Sequence, residues 1–111
     1  MNEEILQSAM QIILHAGDAR LACKQALDAI SINDFKLAKE KLKESQIKIT
    51  EAHRIQTDVI QKEMSGEKNE YSLLLTHAQD TLMTIYSEIN IAKQLLIIFT
   101  NLDQRISKLE N

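Results

Sequence analysis

The stretch Leu73-Leu-Leu-Thr-His77-Ala-Gln-Asp80-Thr-Leu-Met-Thr84-Ile-Tyr-Ser-Glu-Ile89-Asn-Ile-Ala-Lys-Gln-Leu95-Leu-Ile-Ile-Phe99-Thr-Asn-Leu102 decides the fold. One apolar series, Leu75, Ala78, Leu82, Ile85, Ile89, Ala92, Leu96 and Phe99, recurs at steps of three and four, the mark of one face of an α-helix. A second group, Leu73, Ile91, Leu95, Ile98 and Leu102, falls on roughly the opposite side when residues are stepped at about 100° each. A helix that is apolar on two faces is expected to be buried on both. In a chain of 111 residues, one face serves the chain's own core, and the other predicts a second copy of the chain as its cover. His77, Asp80 and Thr84 project onto this second face, between Leu73 and Ile91.

Two further helices complete the pattern. Ile5, Ala9, Ile12, Ala16, Ala19, Cys23, Ala26 and Ile30 form a heptad-like seam that Leu6, Ile13 and Leu27 widen. Ser31-Ile-Asn-Asp34 interrupts it with residues that favour caps and turns. The next seam, with Asn33 as its expected N-cap, runs through Phe35, Ala38, Leu42, Ser45, Ile49, Ala52, Gln56 and Val59. Its lysines (Lys36, Lys39, Lys41, Lys43 and Lys48) alternate with Glu40 and Glu44 on a solvated side. Residues 64–70 carry no stripe, and Gly66 suits the left-handed end of a helix. The expectation is therefore all-α: an antiparallel three-helix bundle forming one domain over residues 1–111, with helices at about 3–30, 34–64 and 70–108.

Composition agrees and narrows the function. There is no proline and there are two glycines, Gly17 and Gly66, too few for strands and hairpins. With 44% hydrophobic and 26% charged residues the balance is globular, and the longest clean apolar run, Leu95 to Phe99, is too short to insert in a bilayer. Thirteen Lys plus Arg against sixteen Asp plus Glu leave a net charge of -3, which gives no general attraction to nucleic acid or anionic lipid. The lone Cys23 can make no internal disulfide, and the acidic start Met-Asn-Glu-Glu is unlike a secretory signal, so the cytoplasm is the expected compartment.

His77 has two readings on spacing alone: a histidine packed between helices, or a nucleophile. Neutral imidazole has a lone pair that can accept a phosphoryl group and later release it. Asp80, one turn on, could orient the ring or help bind a cation. If copies share an axis along this helix, their Asp80 carboxylates converge and need a proton or a hard divalent ion such as magnesium between them. His15, His53 and Cys23 fit ordinary packing, and neither histidine has structural zinc spacing. Gly17 inside a helical stripe costs about 1 kcal/mol relative to Ala, which close helix approach or access for a partner would explain.

At this point a family resemblance becomes visible. Leu73-Leu-Leu-Thr-His77-Ala-Gln-Asp80 with Thr81-Leu-Met-Thr84 resembles the active-site segment of the enzyme IIA component of the lactose/cellobiose class in the bacterial sugar phosphotransferase system. Ile12-Ile-Leu-His-Ala-Gly-Asp-Ala-Arg20, Asn33-Asp-Phe35 and Glu51-Ala-His-Arg-Ile-Gln-Thr57 extend the likeness in order over nearly the whole chain. The resemblance implies a homotrimer of three-helix subunits in which His77 takes a phosphoryl group from the histidine-containing phosphocarrier protein. The group then passes to a cysteine of the cognate IIB component, for a disaccharide entering through IIC. It also implies a divalent cation, expected to be magnesium, at Asp80 on the trimer axis, and Gln79 and Thr81 as phosphate or partner contacts. The family often has a second histidine directly after the aspartate, where this chain has Thr81, so a regulatory adaptor built on the same bundle is the competing expectation. No direct membrane insertion is implied.

Overall fold

The computed structural model describes residues 3–65 and 72–111, and among these it has three helices and no strand. They are α1 (Glu3–Ser31), α2 (Phe35–Met64) and α3 (Leu73–Glu110). The expected loop at 64–70 with Gly66, and the expected helix start at residue 70, lie mostly outside the described residues. Ser72 caps α3, in extended conformation, its hydroxyl accepting from the Leu75 amide at 3.1 Å.

The α1–α2 corner corrects one expectation. Asn33 is not the N-cap of α2: it sits at φ 59°, the left-handed conformation that ends α1. Its amide donates to Ile30 O, and the Asp34 amide donates to Ala29 O, the paired bonds of a Schellman motif. Asp34 takes over as cap, its carboxylate accepting from the Leu37 amide at 3.1 Å. Asparagine suits the first role because its short polar side chain tolerates positive φ.

The helices run up, down and up. Ser45 on α2, wholly buried, donates to Ala19 O on α1 at 2.6 Å, and Lys62 near the end of α2 pairs with Glu4 near the start of α1. Lys93 of α3 reaches Gln46 of α2. Every residue of the first predicted seam is buried, and Ala22 and Ala29 join it. So many alanines let α2 lie close against α1, and the bulk of the core comes from Ile12, Ile49, Leu82, Ile85 and Ile89. Truncating any of these to Ala should cost about 2–5 kcal/mol.

Phe99 departs from its expected place in the core: it is 43% exposed, and the last buried residue of α3 is Leu96. The cause is length. α1 has ended at Ser31 and α2 has only begun at Phe35, so α3 outruns its neighbours and gives the chain a long axis of 65 Å against 20 and 18 Å across.

Candidate functional site

α3 is packed on one side only. Leu73, Ile91, Ile98 and Leu102 are exposed, Ile91 by 58%, while Leu95 is half-buried against the core. The second apolar face expected from the sequence is therefore present and uncovered in the single chain. These two faces make α3, among the described residues, long and apolar enough by length and composition to cross a membrane, although one face is committed to the bundle.

His77 stands on this face, exposed to solvent. Its ring makes no hydrogen bond or ion pair among the described residues. Its backbone carbonyl accepts from Thr81 Oγ1 at 2.8 Å, so the threonine hydroxyl is directed at the main chain and not at the imidazole. Helical rotation of about 100° per residue leaves Asp80 about 60° from His77, Thr81 about 40° and Thr84 about 20°. These four form one polar island. Gln79 does not join it: two residues on, it points some 160° away and is half-buried on the other flank of the helix.

Asp80 is exposed, and its carboxylate has no hydrogen bond or ion pair among the described residues. No group of three or more His, Cys, Asp or Glu side chains that could hold a metal occurs among them. One chain thus supplies one carboxylate, and a resident cation would fit only where several copies bring theirs together.

Below the island, α1 and α3 are joined by a two-pronged bond. Arg20 Nε donates to Glu88 Oε1 at 3.1 Å and Nη2 to Oε2 at 2.9 Å. The bond to Glu88 holds the Arg20 guanidinium above its ordinary value. This pair has no local signature, being formed between residues distant in sequence. Beside it lies a groove floored by Cys23, Ala92 and Leu95, and burial pushes the Cys23 thiol up, which suits a packing role. His15 is half-buried with Nδ1 lacking a protein partner, and His53 is exposed in a cleft with Tyr86 and Met83. Neither is brought to His77.

The sequence reading overlooked a second exposed apolar strip, on α1. Met10, Leu14 and Leu21 are all more than half exposed and, with Gly17, follow steps of four, three and four. A Cβ at Gly17 would meet nothing within 4 Å, so close helix approach inside the chain does not account for this glycine. The signal was a second periodicity offset from the core seam.

The family model described as PTS system, Lactose/Cellobiose specific IIA subunit matches residues 7–100. The chain belongs to this family. The IIA chain is similar to the lichenan-specific phosphotransferase enzyme IIA component of Bacillus subtilis, 36% identical over 105 residues that cover 95% of this chain and 96% of the relative. In structure it is similar to the PTS cellobiose-specific enzyme IIA of Bacillus anthracis, with TM-score 0.87, 35% identity and coverage of 94% and 95%. It is also similar to the IIA(Chitobiose) chain solved in complex with HPr, from the N,N'-diacetylchitobiose branch of the Escherichia coli phosphotransferase system. That match has TM-score 0.75, 31% identity and coverage of 92% and 99%. The IIA assignment thus spans all three helices, and α3 runs ten residues past the matched segment.

Proposed function

We propose that this IIA subunit is a cytoplasmic phosphocarrier in which His77 accepts a phosphoryl group from the phosphohistidine of HPr and passes it to the cysteine of its IIB component. The observation that carries the reading is an exposed, unengaged imidazole on the uncovered face of α3, in a chain of this family. The HPr complex of the chitobiose relative supports HPr as the donor.

In the first transfer a lone pair of the His77 ring forms the new N–P bond while the N–P bond of the donor breaks, and the donor imidazole leaves neutral. In the second, a thiolate attacks the same phosphorus, the His77 N–P bond breaks, and the ring is restored. Such transfers depend on alignment and charge stabilisation. The one arginine of α1 is engaged by Glu88, so cationic donors are expected from the partners. Leu73, Leu74, Met83 and the α1 strip would help such a partner exclude water. Thr81 is a partner contact through its methyl group, since its hydroxyl is directed to the backbone; Gln79, half-buried on the other flank of the helix, is a contact for the partner's edge and not for the phosphoryl group on His77.

The subunit acts as a homotrimer closed over the Asp80, Ile91 and Ile98 side of the second face of α3, with His77 at the rim of the groove where copies meet and so open to HPr and IIB. In that assembly the Asp80 carboxylates meet at the axis and would hold a divalent cation, magnesium by its preference for oxygen ligands, whose chemistry is to neutralise their mutual repulsion. The sugar served is a disaccharide of the kind named for the relatives, cellobiose, lactose or diacetylchitobiose.

Incubation with phosphoenolpyruvate, enzyme I and HPr, followed by intact-mass analysis, should add one acid-labile phosphoryl group that IIB removes. His77→Ala should take none. Failure of the parent chain to label would overturn the carrier reading in favour of the adaptor.

A further inference from the structure

Gly17 stands in the middle of α1 without an internal reason. Glycine is a poor helix former, the position is exposed, and a Cβ there would meet nothing within 4 Å, so no neighbouring helix of the chain needs the space. The exposed Met10, Leu14 and Leu21 run past it on the same side. They span about 17 Å at a mean step close to the helical period, so with the glycine they make a straight apolar ridge with one notch.

The Arg20–Glu88 fork fixes where this ridge lies. It puts the two residues at one level, and Leu27 with Leu95, lining the same groove, keeps the same offset, so α1 and α3 run side by side in register. Met10, Leu14 and Gly17 are therefore level with the turns of α3 from Ala78 to Ile85, directly beyond His77. Counted from Arg20 at about 100° per residue, the buried Ala16, Ala19 and Cys23 fall on one side of the direction to α3. Ile13, Leu6, Gly17 and Met10 fall on the other, about 20°, 40°, 60° and 80° round. Counted from Glu88 on α3, Ile85 and Ile89 lie on the core side, and His77, Thr84 and Asp80 on the other, about 20°, 40° and 80° round. Ridge and imidazole thus open onto one outward face.

What covers the ridge has to be rod-shaped and to come close to the α1 backbone at one point, and a helix with one apolar side meets both conditions. Glu3 and Asp18 are exposed along this edge, while the guanidinium of Arg20 is engaged by Glu88, so the flanks of the occupant are cationic. Another copy of the chain is placed elsewhere: the proposed subunit contact lies over Asp80, Ile91 and Ile98, and His77 stands between that contact and the ridge. Of the two partners in the proposed relay, the donor fits the charge better. It arrives with a phosphoryl dianion already held by its own cationic groups, whereas the acceptor arrives as a thiolate.

We propose that the notched ridge of α1, formed by Met10, Leu14, Gly17 and Leu21, is the docking surface for the phosphodonor HPr, one helix of which lies along it and seats against the backbone at Gly17. This rests on the carrier reading above and adds the surface that receives the donor and brings its phosphorus to His77. Gly17 is a positioning residue, acting only through how near it lets the donor come.

The test is the rate of His77 labelling against HPr concentration for the full chain, parent beside Gly17→Gln, which fills the notch, and Leu14→Gln, which breaks the ridge. Both positions are exposed in the subunit, so helical circular dichroism should persist. The HPr concentration giving half the maximal rate should rise about tenfold in Gly17→Gln and about threefold in Leu14→Gln, with the maximal rate little changed. Labelling by phosphoramidate, a small donor that loses ammonia as the bond to His77 forms and needs no docking, should match the parent in both. An unchanged HPr dependence in both variants, with the parent labelling normally, would overturn the docking surface and leave the carrier reading standing. A parent that HPr does not label would overturn both. Slower phosphoramidate labelling would mean that the ridge acts on His77 itself, weaker self-association in sedimentation would make it a contact between copies, and slower discharge to IIB with normal loading would give it to the acceptor; each overturns the proposal.

Discussion

At the scale of single residues, Gly17 gives the cleanest expectation. Its position has open space for a Cβ, and alanine is favoured over glycine inside a helix by about 1 kcal/mol. Gly17→Ala should therefore stabilise the subunit by about 0.5–1 kcal/mol in urea unfolding. Ser45→Ala should act the other way. It removes a buried hydrogen bond to Ala19 O, and since that carbonyl is also part of the α1 ladder, the cost is that of one bond, about 0.5–1.5 kcal/mol. Cys23, buried and with its thiol pushed up, should resist Ellman's reagent at neutral pH and react fully once the chain is unfolded. Fast labelling of the native chain would contradict the burial.

At the scale of elements, the α1–α2 corner separates what sequence pattern tells from what it hides. Asn33→Gly should be tolerated or mildly stabilising, whereas Asn33→Val, forced to positive φ, should cost more than 1 kcal/mol in thermal or urea unfolding. The reader of the sequence sees Asn-Asp and expects a cap from the first of them; which residue turns left-handed depends on where the preceding helix runs out, a matter of packing. The seams were legible because each helix buries one side, so Ile12, Ile49 and Ile85 declare themselves by spacing alone. Phe99 was misplaced because periodicity continues after the neighbouring helices stop. The polar island was legible for His77, Asp80 and Thr84, which share a projection. Gln79 is a contact by family likeness only, and the helix sets it on the flank away from His77. The Arg20–Glu88 fork, formed across the fold, left no trace in local pattern.

At the scale of the whole molecule, pH enters through the surface. The hydrogen bond from Arg54 holds the Glu51 carboxyl below its ordinary value, so the native chain binds fewer protons there than the unfolded chain. Its contribution is present above the usual carboxylate range and is lost as pH falls through the lowered value. Stability should accordingly decline on acidification below about pH 5, and Glu51→Gln should make that decline shallower in a pH series of melts. The effect is small, because the pair is exposed and solvent-screened.

The mounting of His77 carries a last consequence. A side chain borne in the interior of a helix has only its own torsions to move with, because the main chain around it is tied into the hydrogen-bond ladder. Any protein exchanging a group with it must deliver the reactive atom to a stationary target, and two such proteins cannot be served at once. Traffic through the ring is then a queue: an unproductive visitor in excess delays loading as surely as a shortage of donor does.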